Sequence, residues 1–342
     1  LGDVYKRQLY TLSRGETTIK GGGNKITISN AGITVAKKGT VLNLGANGYD
    51  GTLTIDGKTS GGFVSVLEGA TANMYENVTL QNWQFAGNAC IVIMGSDPAT
   101  GSKSVFNMHG GVIEKCSRAV MADSGATFNM SGGEIRNCVS MNDGGGLYAD
   151  KSTINISGGT ISGCEAAINE GGGLYATNQS TITINGGTIS GCKAPSSDKG
   201  NGSGLYANKS TINISGGTIS GCEGRWGGGL YAENSSTIEI SGGTISGCKV
   251  GAGGGLFVDS STIRISGGII SECTTSDTGN GGGLYAKNST IKITGGRIEN
   301  NKAALGGGVA LIGKTTFEDS ITNWTVIGNE AYATGGVGGG IK

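Results

Sequence analysis

The sequence is poor in several kinds of residue, and each scarcity limits what the chain can be. Only 2 prolines stand against 69 glycines, which fits neither a collagen-like repeat nor a proline-rich linker. Lysine plus arginine and aspartate plus glutamate both number 25, so the net charge is zero and no basic field attracts nucleic acid. No run reaches the roughly 18 apolar residues of a membrane helix. We therefore expect no nucleic-acid partner and no membrane insertion.

What the chain does have is a glycine-rich unit that repeats. The stretch GGGLYAENSSTIEISGGTISGC, residues 227–248, recurs with small changes from Gly144, Gly171 and Gly204. A catalytic loop that feeds a reactive cysteine would not recur in tandem, so we interpret the unit as one turn of a scaffold. The aligned leucine, or valine in a looser seventh copy, falls at Leu147, Leu174, Leu205, Leu230, Leu256, Leu284 and Val309.

Each unit holds three short alternating runs, exemplified by LYA, STINIS and TISGC, separated by glycine-rich or polar breaks. Repeats of this size without a helical period favour a solenoid over a propeller, whose blades need about 40 residues. The sequence therefore predicts an all-β fold, a parallel β-helix with three strands per coil and about 12 coils. Alternation directs Leu147, Ala149 and Ile154 inward, and Tyr148 and Asn155 outward.

The chain divides into three segments. Residues 105–342 carry the regular repeats, and we expect residues 9–104, with weaker alternation, to form irregular coils of the same helix. Residues 1–8 match neither segment, and DVYKRQ within them looks like the translation of a transposase end used to prepare sequencing libraries. We therefore expect residues 1–8 to be a translated adapter. On this interpretation we expect a metagenomic fragment that is truncated at its C-terminus and lacks a signal peptide, an anchor domain and further coils.

Seven of the eight cysteines stand three residues after an inward aliphatic residue, while Cys90 lies outside this register. Stacked neighbours about 4.8 Å apart exceed the roughly 3.8 Å Cβ spacing of a relaxed disulfide. Zinc requires ligands that converge from several directions. The sequence thus favours reduced, buried thiols over disulfides or zinc, and predicts no metal and no cofactor. The predicted structural ladder comprises Cys116, Cys138, Cys164, Cys192, Cys222, Cys248, Cys273, Asn301 and Asn329.

No catalytic residue is predicted, because acidic residues fall in turns rather than in pairs along one strand, and His109 replaces a turn serine. Two features remain as candidates for ligand binding. One is the set of variable loops before each GGG, among which Arg225 and Trp226 are the most binding-like, although a solvated loop is the alternative. The other is an outward aromatic stripe, whose alternative role is to stabilise the outer face. It comprises Tyr148, Tyr175, Tyr206, Tyr231, Phe257 and Tyr285.

The units resemble the GGGIY…GTFTMSGGTISGNTA units of adhesin-like proteins from gut bacteria and methanogenic archaea. They are more distantly similar to the GGAI and FxxN repeats of chlamydial polymorphic outer-membrane proteins. The resemblance covers about residues 105–342, and the Asn of SGN in those proteins corresponds to the cysteine ladder. It implies a secreted or surface-anchored, right-handed β-helix of the pectate-lyase-like shape that attaches to a glycan or to a host or microbial surface protein.

The favoured function is therefore a non-catalytic, adhesin-like extracellular scaffold at the cell surface. The alternative is a polysaccharide-degrading enzyme of the same shape, either a lyase or a glycoside hydrolase. Polygalacturonase-like enzymes carry NTD, DD, GHG and RIK, and none of these four strings occurs here. The motif is thus specific for the fold and only weakly informative about activity.

Overall fold

The computed structural model describes residues 4–6, 10–28, 32–57, 62–84, 89–318, 324–332 and 339–340. In these residues the strands are joined by turns, and all strand-to-strand pairings are parallel. No helix in this part of the chain has the length and apolarity needed to cross a membrane. The strands form three sheets, which confirms the predicted parallel β-helix.

The first sheet contains the strands that we call LYA strands after their commonest sequence. Its twelve strands correspond to eleven steps from coil to coil, close to the predicted number of coils. The LYA strands are Tyr10–Leu12, Ile33–Val35, Val64–Leu67, Ile91–Met94, Val120–Asp123, Leu147–Asp150, Leu174–Thr177, Leu205–Asn208, Leu230–Glu233, Leu256–Asp259, Leu284–Lys287 and Val309–Ile312.

The largest sheet holds two strands from each regular coil, the TINI strand and the TIS strand, on either side of an SGG bend. In two coils they run together as Thr262–Ser271 and Thr290–Glu299. The other TINI strands are Glu16–Ile19, Val41–Leu44, Thr71–Met74, Val105–Met108, Thr127–Met130, Thr153–Ile156, Thr181–Ile184, Thr211–Ile214, Thr237–Ile240 and Thr316–Phe317. The other TIS strands are Val4–Lys6, Asn24–Ile28, Leu53–Gly57, Val78–Gln81, Val112–Glu114, Glu134–Arg136, Thr160–Ser162, Thr188–Ser190, Thr218–Ser220, Thr244–Ser246 and Trp324–Ile327.

The third sheet is built from two-residue strands that follow the cysteines from Cys138 to Cys273 and the equivalent Asn301 and Asn329. These strands cannot be distinguished from loops in the sequence, because two residues are too few to show alternation. These short strands are Val139–Ser140, Glu165–Ala166, Lys193–Ala194, Glu223–Gly224, Lys249–Val250, Thr274–Thr275, Lys302–Ala303 and Glu330–Ala331.

One continuous apolar core runs along the axis of the helix. Leu147, Ala149 and Ile154 are fully buried, as alternation predicted, and each pairs with an equivalent residue in the next coil. Burial of one such Leu or Ile side chain contributes about 1.5–3 kcal/mol. In the earlier coils Phe106 and Phe128 take the place of isoleucine, with ring centroids 6.1 Å apart. The core therefore tolerates different side chains as long as neighbouring coils change together.

Glycines in the coil serve two different needs. A Cβ on Gly173 would lie 2.6 Å from the carbonyl oxygen of Gly204 and 3.1 Å from the Cys192 sulfur, so the close stacking of coils requires glycine there. Gly191 instead adopts a φ of 58° with no atom within 4 Å of its would-be Cβ. Asn137 adopts a φ of 52° at the equivalent turn. Asparagine is thus acceptable at this turn, where φ is positive and the side chain has free space.

This difference leads to a stability prediction. We expect Gly173→Ala to lower the free energy of unfolding by at least about 1 kcal/mol, because the added methyl group overpacks the space between coils. Gly191→Asn should stay within about 0.5 kcal/mol of wild type. Urea unfolding followed by circular dichroism measures both. Equal losses in the two variants would contradict the steric argument.

Candidate functional site

The structure arranges the aromatic stripe in register on the outward side of the LYA strands, one ring per coil. We expected an open row of rings, but the rings at the centre of the stripe are covered by other residues. Tyr206, Tyr231 and Phe257 are only 3%, 3% and 4% exposed, because loop residues such as Trp226 and Ala252 pack against them. Tyr148, Tyr175 and Tyr285 are half-buried.

The ring faces of the stripe are largely occupied by other rings. Tyr148, Tyr175, Tyr206 and Tyr231 stack nearly parallel, with centroids 4.9–5.4 Å apart and interplanar angles of 1–7°. The guanidinium of Arg118 covers one end, 4.7 Å from the Tyr148 centroid. A sugar docks on an aromatic ring through the ring face. The stripe therefore offers a ligand its ring edges and hydroxyl groups rather than stacking surfaces.

Glu233 holds the hydroxyl groups at the centre of the stripe. Its carboxylate accepts hydrogen bonds from the Tyr206 hydroxyl at 2.6 Å, the Tyr231 hydroxyl at 3.3 Å and the Asn208 amide at 3.0 Å. Burial and the hydrogen bond to Glu233 raise the pKa of Tyr206 far above its ordinary value, so this phenol remains a donor. Sequence reasoning missed Glu233, although glutamate replaces the asparagine or aspartate of most coils there.

Arg225 and Trp226 serve as cover for the stripe. The Trp226 ring packs on Phe257 with centroids 5.4 Å apart, and the Arg225 guanidinium lies 3.8 Å from the Trp226 centroid. Arg225 also donates a hydrogen bond to the carbonyl of Asp198 in the preceding loop. Both side chains are thus engaged within the protein.

Each coil that contains a GGG or GSG sequence has one residue directly before it, and we call these residues together the loop column. Trp226 is one of them. Backbone amides of the following glycines connect these residues from coil to coil. Gly144 donates to the Glu170 carbonyl at 3.1 Å and Gly171 donates to the Asn201 carbonyl at 3.0 Å. The loop column contains Asp143, Glu170, Asn201, Trp226, Ala252, Asn280 and Leu305.

The loop column brings two carboxyl groups together from successive coils. The Glu170 backbone amide donates to Asp143 Oδ1 at 3.4 Å, which places the Asp143 carboxyl group beside Glu170. Burial and the neighbouring Asp143 raise the pKa of Glu170 to about 7. Arg118 donates to the carbonyl oxygens of Asp143 and Gly144 at 3.1 Å, not to a carboxylate. These acidic residues lie in turns, as predicted, and come together from the loops of successive coils rather than along one strand.

An open groove of about 390 Å³ lies on the outward side of four successive TINI strands. In earlier coils this side carries an amide ladder, in which Asn155 donates to Asn129 and Asn129 donates to Asn107, both at 2.8 Å. The ladder ends where its position changes from asparagine to other residues. The groove is lined chiefly by Asn213, Ser215, Glu239, Ser241, Arg264 and Lys292.

All seven cysteines of the predicted ladder are free and fully buried. The neighbouring Cys138 thiol and burial hold the pKa of Cys164 well above its ordinary value, so no thiolate forms there at neutral pH. Cys90 is not in the same register, but its thiol interacts with that of Cys116 and extends the row. The described residues contain no group of three or more His, Cys, Asp or Glu side chains that could hold a metal ion.

Asparagines continue the column beyond the last cysteine. Asn301 donates to the Ile270 carbonyl at 3.0 Å and accepts from the Cys273 backbone amide at 2.9 Å. Asn329 makes the equivalent pair of bonds with Ile298 and Asn301. The position therefore accepts either a thiol or an amide.

The outward residues of the short strands form a row of alternating charge that sequence reasoning missed. Lys193 lies 3.5 Å from Glu223, and Lys302 lies 2.8 Å from Glu330, with more than half of each side chain exposed. Such pairs contribute at most about 1 kcal/mol each. The signal was present in the residue after each cysteine from Cys138 onward and after Asn301 and Asn329, where only Val139 and Thr274 are uncharged. These residues are Val139, Glu165, Lys193, Glu223, Lys249, Thr274, Lys302 and Glu330.

Comparison with known families identifies the type of repeat. The model of a family described as right-handed beta helix region matches residues 124–274 and 158–338. No curated protein and no solved structure gives a match. The family match assigns a right-handed coil to the helix and leaves open whether the chain is catalytic.

The asparagine continuation predicts how the ladder responds to substitution. Cys273→Asn should keep the free energy of unfolding within about 1 kcal/mol of wild type, because its amide can reach the Ile245 carbonyl, now 4.0 Å from the thiol. Cys273→Asp should cost at least about 2 kcal/mol at pH 7, since it buries an unpaired charge. Burial raises the pKa of that new carboxyl, so the cost should shrink as the pH falls. Urea titrations at pH 7 and pH 5 test this, and equal stability of the two variants at pH 7 would contradict it.

The pair of carboxyl groups predicts a pH dependence. The pKa of Glu170 is raised on folding, so its favourable contribution is present at low pH and is lost as the pH rises towards 7. We expect Glu170→Gln to be more stable than wild type at pH 8 and to lose this advantage at pH 5. Thermal unfolding at both pH values provides the measurement, with Asp277→Asn, in an exposed loop, as the matched control. A constant difference across pH would show that Glu170 titrates normally.

Proposed function

Because the chain belongs to the family of right-handed β-helix proteins, we propose that it is a non-catalytic, adhesin-like scaffold that binds glycan along its side. The proposal places it outside the cell or at the cell surface, where it attaches to a glycan, including glycan on a host or microbial surface protein. The observation that carries the proposal is the open polar groove on the TINI strands.

The groove has the chemistry that a sugar requires. Hydroxyl groups of sugars both donate and accept hydrogen bonds, and the groove offers the amide of Asn213, the hydroxyls of Ser215 and Ser241, and charged side chains. The nearest opposite charges, Glu239 and Arg264, lie 3.9 Å apart and remain about half-exposed. Their hydrogen-bonding capacity is therefore accessible to a ligand.

The rest of the coil supports this function by holding the groove rigid. Backbone hydrogen bonds fix each TINI strand to its neighbours, and three steps of about 4.8 Å give a lining about 14 Å long. The aromatic stripe adds stacking between coils on another side. Binding residues on regular strands keep their positions without a ligand, which lowers the entropic cost of binding.

If glycan binds in the groove, a bulky side chain placed there should weaken binding. Ser241→Tyr should fill the groove and raise the Kd for a bound glycan at least tenfold, as measured on a glycan array followed by calorimetry. Ser157→Tyr is the matched control, because Ser157 occupies the equivalent exposed position three coils earlier and does not line the groove. We expect it to bind like wild type.

Two results would overturn the proposal. Equal binding by wild type and Ser241→Tyr would remove the groove from the binding surface, and no glycan binding by wild type would remove the function. Release of reducing or unsaturated sugar ends from a polysaccharide by wild type would replace the scaffold with an enzyme.

A further inference from the structure

Among the described residues the Asp143–Glu170 pair has no direct ion-pair partner, since Arg118 attracts Asp143 and Lys199 attracts Glu170 only at longer range. Neither carboxyl group forms an ion pair with any residue in the described part of the chain. The one guanidinium nearby, that of Arg118, is 5% exposed and directs its Nε to backbone carbonyl oxygens. Two half-buried carboxyl groups without a direct ion pair repel each other once both are ionised. A positive group from outside the chain would relieve this repulsion.

A second and independent observation comes from the next residue of the loop column. Asn201 is 7% exposed, and its side-chain oxygen has no hydrogen-bond partner. It follows Glu170 in the column and is the parallel bridge partner of Trp226, whose ring faces the aromatic stripe. A buried acceptor without a donor costs about 1–3 kcal/mol. The site thus offers acceptors from three consecutive coils and has a shortage of donors.

Exposed apolar side chains stand beside these acceptors. Met141 and Ile168 precede Asp143 and Glu170 by two residues in the same loops, and they are 54% and 49% exposed. Large apolar side chains with this exposure next to buried polar groups are typical of protein-binding surfaces. A metal ion would not use them.

We propose that Asp143, Glu170 and Asn201 form a binding site for an arginine side chain of a partner protein. The planar guanidinium carries five N–H donors and can satisfy several acceptors at once, which a lysine ammonium does less well. Apolar residues on either side of that arginine would pack on Met141 and Ile168. This site is separate from the glycan groove and goes beyond the proposed function.

The charges around Glu170 set the pH range of binding. Asp143 and Glu233 raise its pKa, and Lys199 opposes them. Tyr175, the nearest phenol, stays neutral because burial and the carboxylates raise its pKa. Binding of a cation should therefore displace the proton held by Glu170. The affinity should increase with pH between about 5.5 and 8.5, and only while Glu170 is present.

The test uses the full chain and two blocked tripeptides, acetyl-Leu-Arg-Leu-amide and its citrulline analogue, which is nearly isosteric and uncharged. Calorimetry at pH 8 should give a Kd at least tenfold lower for the arginine peptide. Glu170→Gln and Asn201→Ala should each raise that Kd at least fivefold. Glu170→Gln should also abolish the pH dependence, and it should fold well because the repulsion is absent.

Asp277→Asn removes an equal charge from a loop four coils away and should bind like wild type. Equal affinity for the arginine and citrulline peptides would overturn the site, as would unchanged binding by Glu170→Gln. A comparable loss in Asp277→Asn would show that attraction is nonspecific and would also overturn it. Lysine in place of arginine should bind at least threefold more weakly, and tighter binding would overturn the assignment to guanidinium. Glycan binding by Glu170→Gln should be unaffected, so failure here is distinguishable from failure of the groove.

Discussion

The backbone hydrogen bonds between successive coils are the interaction on which the rest of this molecule depends. Each strand pairs with its equivalent about 4.8 Å away, so every coil must follow nearly the same path as the one beneath it. That requirement explains the third glycine of GGG. At Gly173 even a methyl group would meet the carbonyl of Gly204, whereas the loops before GGG, which vary in length, lie outside the stacked path.

Stacking also means that one residue type, once repeated, becomes a row of identical neighbours. The amides of Asn107, Asn129 and Asn155 satisfy one another, and the tyrosine rings cover one another's faces. A complete row therefore has little capacity left for a ligand. Hydrogen-bonding groups are left without a neighbour of the same type where a row is interrupted, as at Glu239 in the groove.

The same logic explains how far the sequence could predict the structure. The repeat and its alternation predicted the fold, the LYA, TINI and TIS strands and the inward positions of residues such as Leu147 and Ile154, because these depend on local pattern alone. The burial of Phe257, in contrast, depends on Trp226 from the loop of the preceding coil. The Asp143–Glu170 pair joins residues 27 apart in loops of different length and composition. Aligning the loops on their last residue before GGG would have revealed the pair, whereas alignment on the strands did not.

The alternating charges along the short strands bear on how such a molecule can lengthen. Glu165, Lys193, Glu223 and Lys249 occupy four consecutive coils. Duplication of one coil within this run would set two like charges side by side, at a cost of a few tenths of a kcal/mol. Duplication of two coils would preserve the alternation. The row thus gives a small energetic advantage to growth by pairs of coils over growth by single coils.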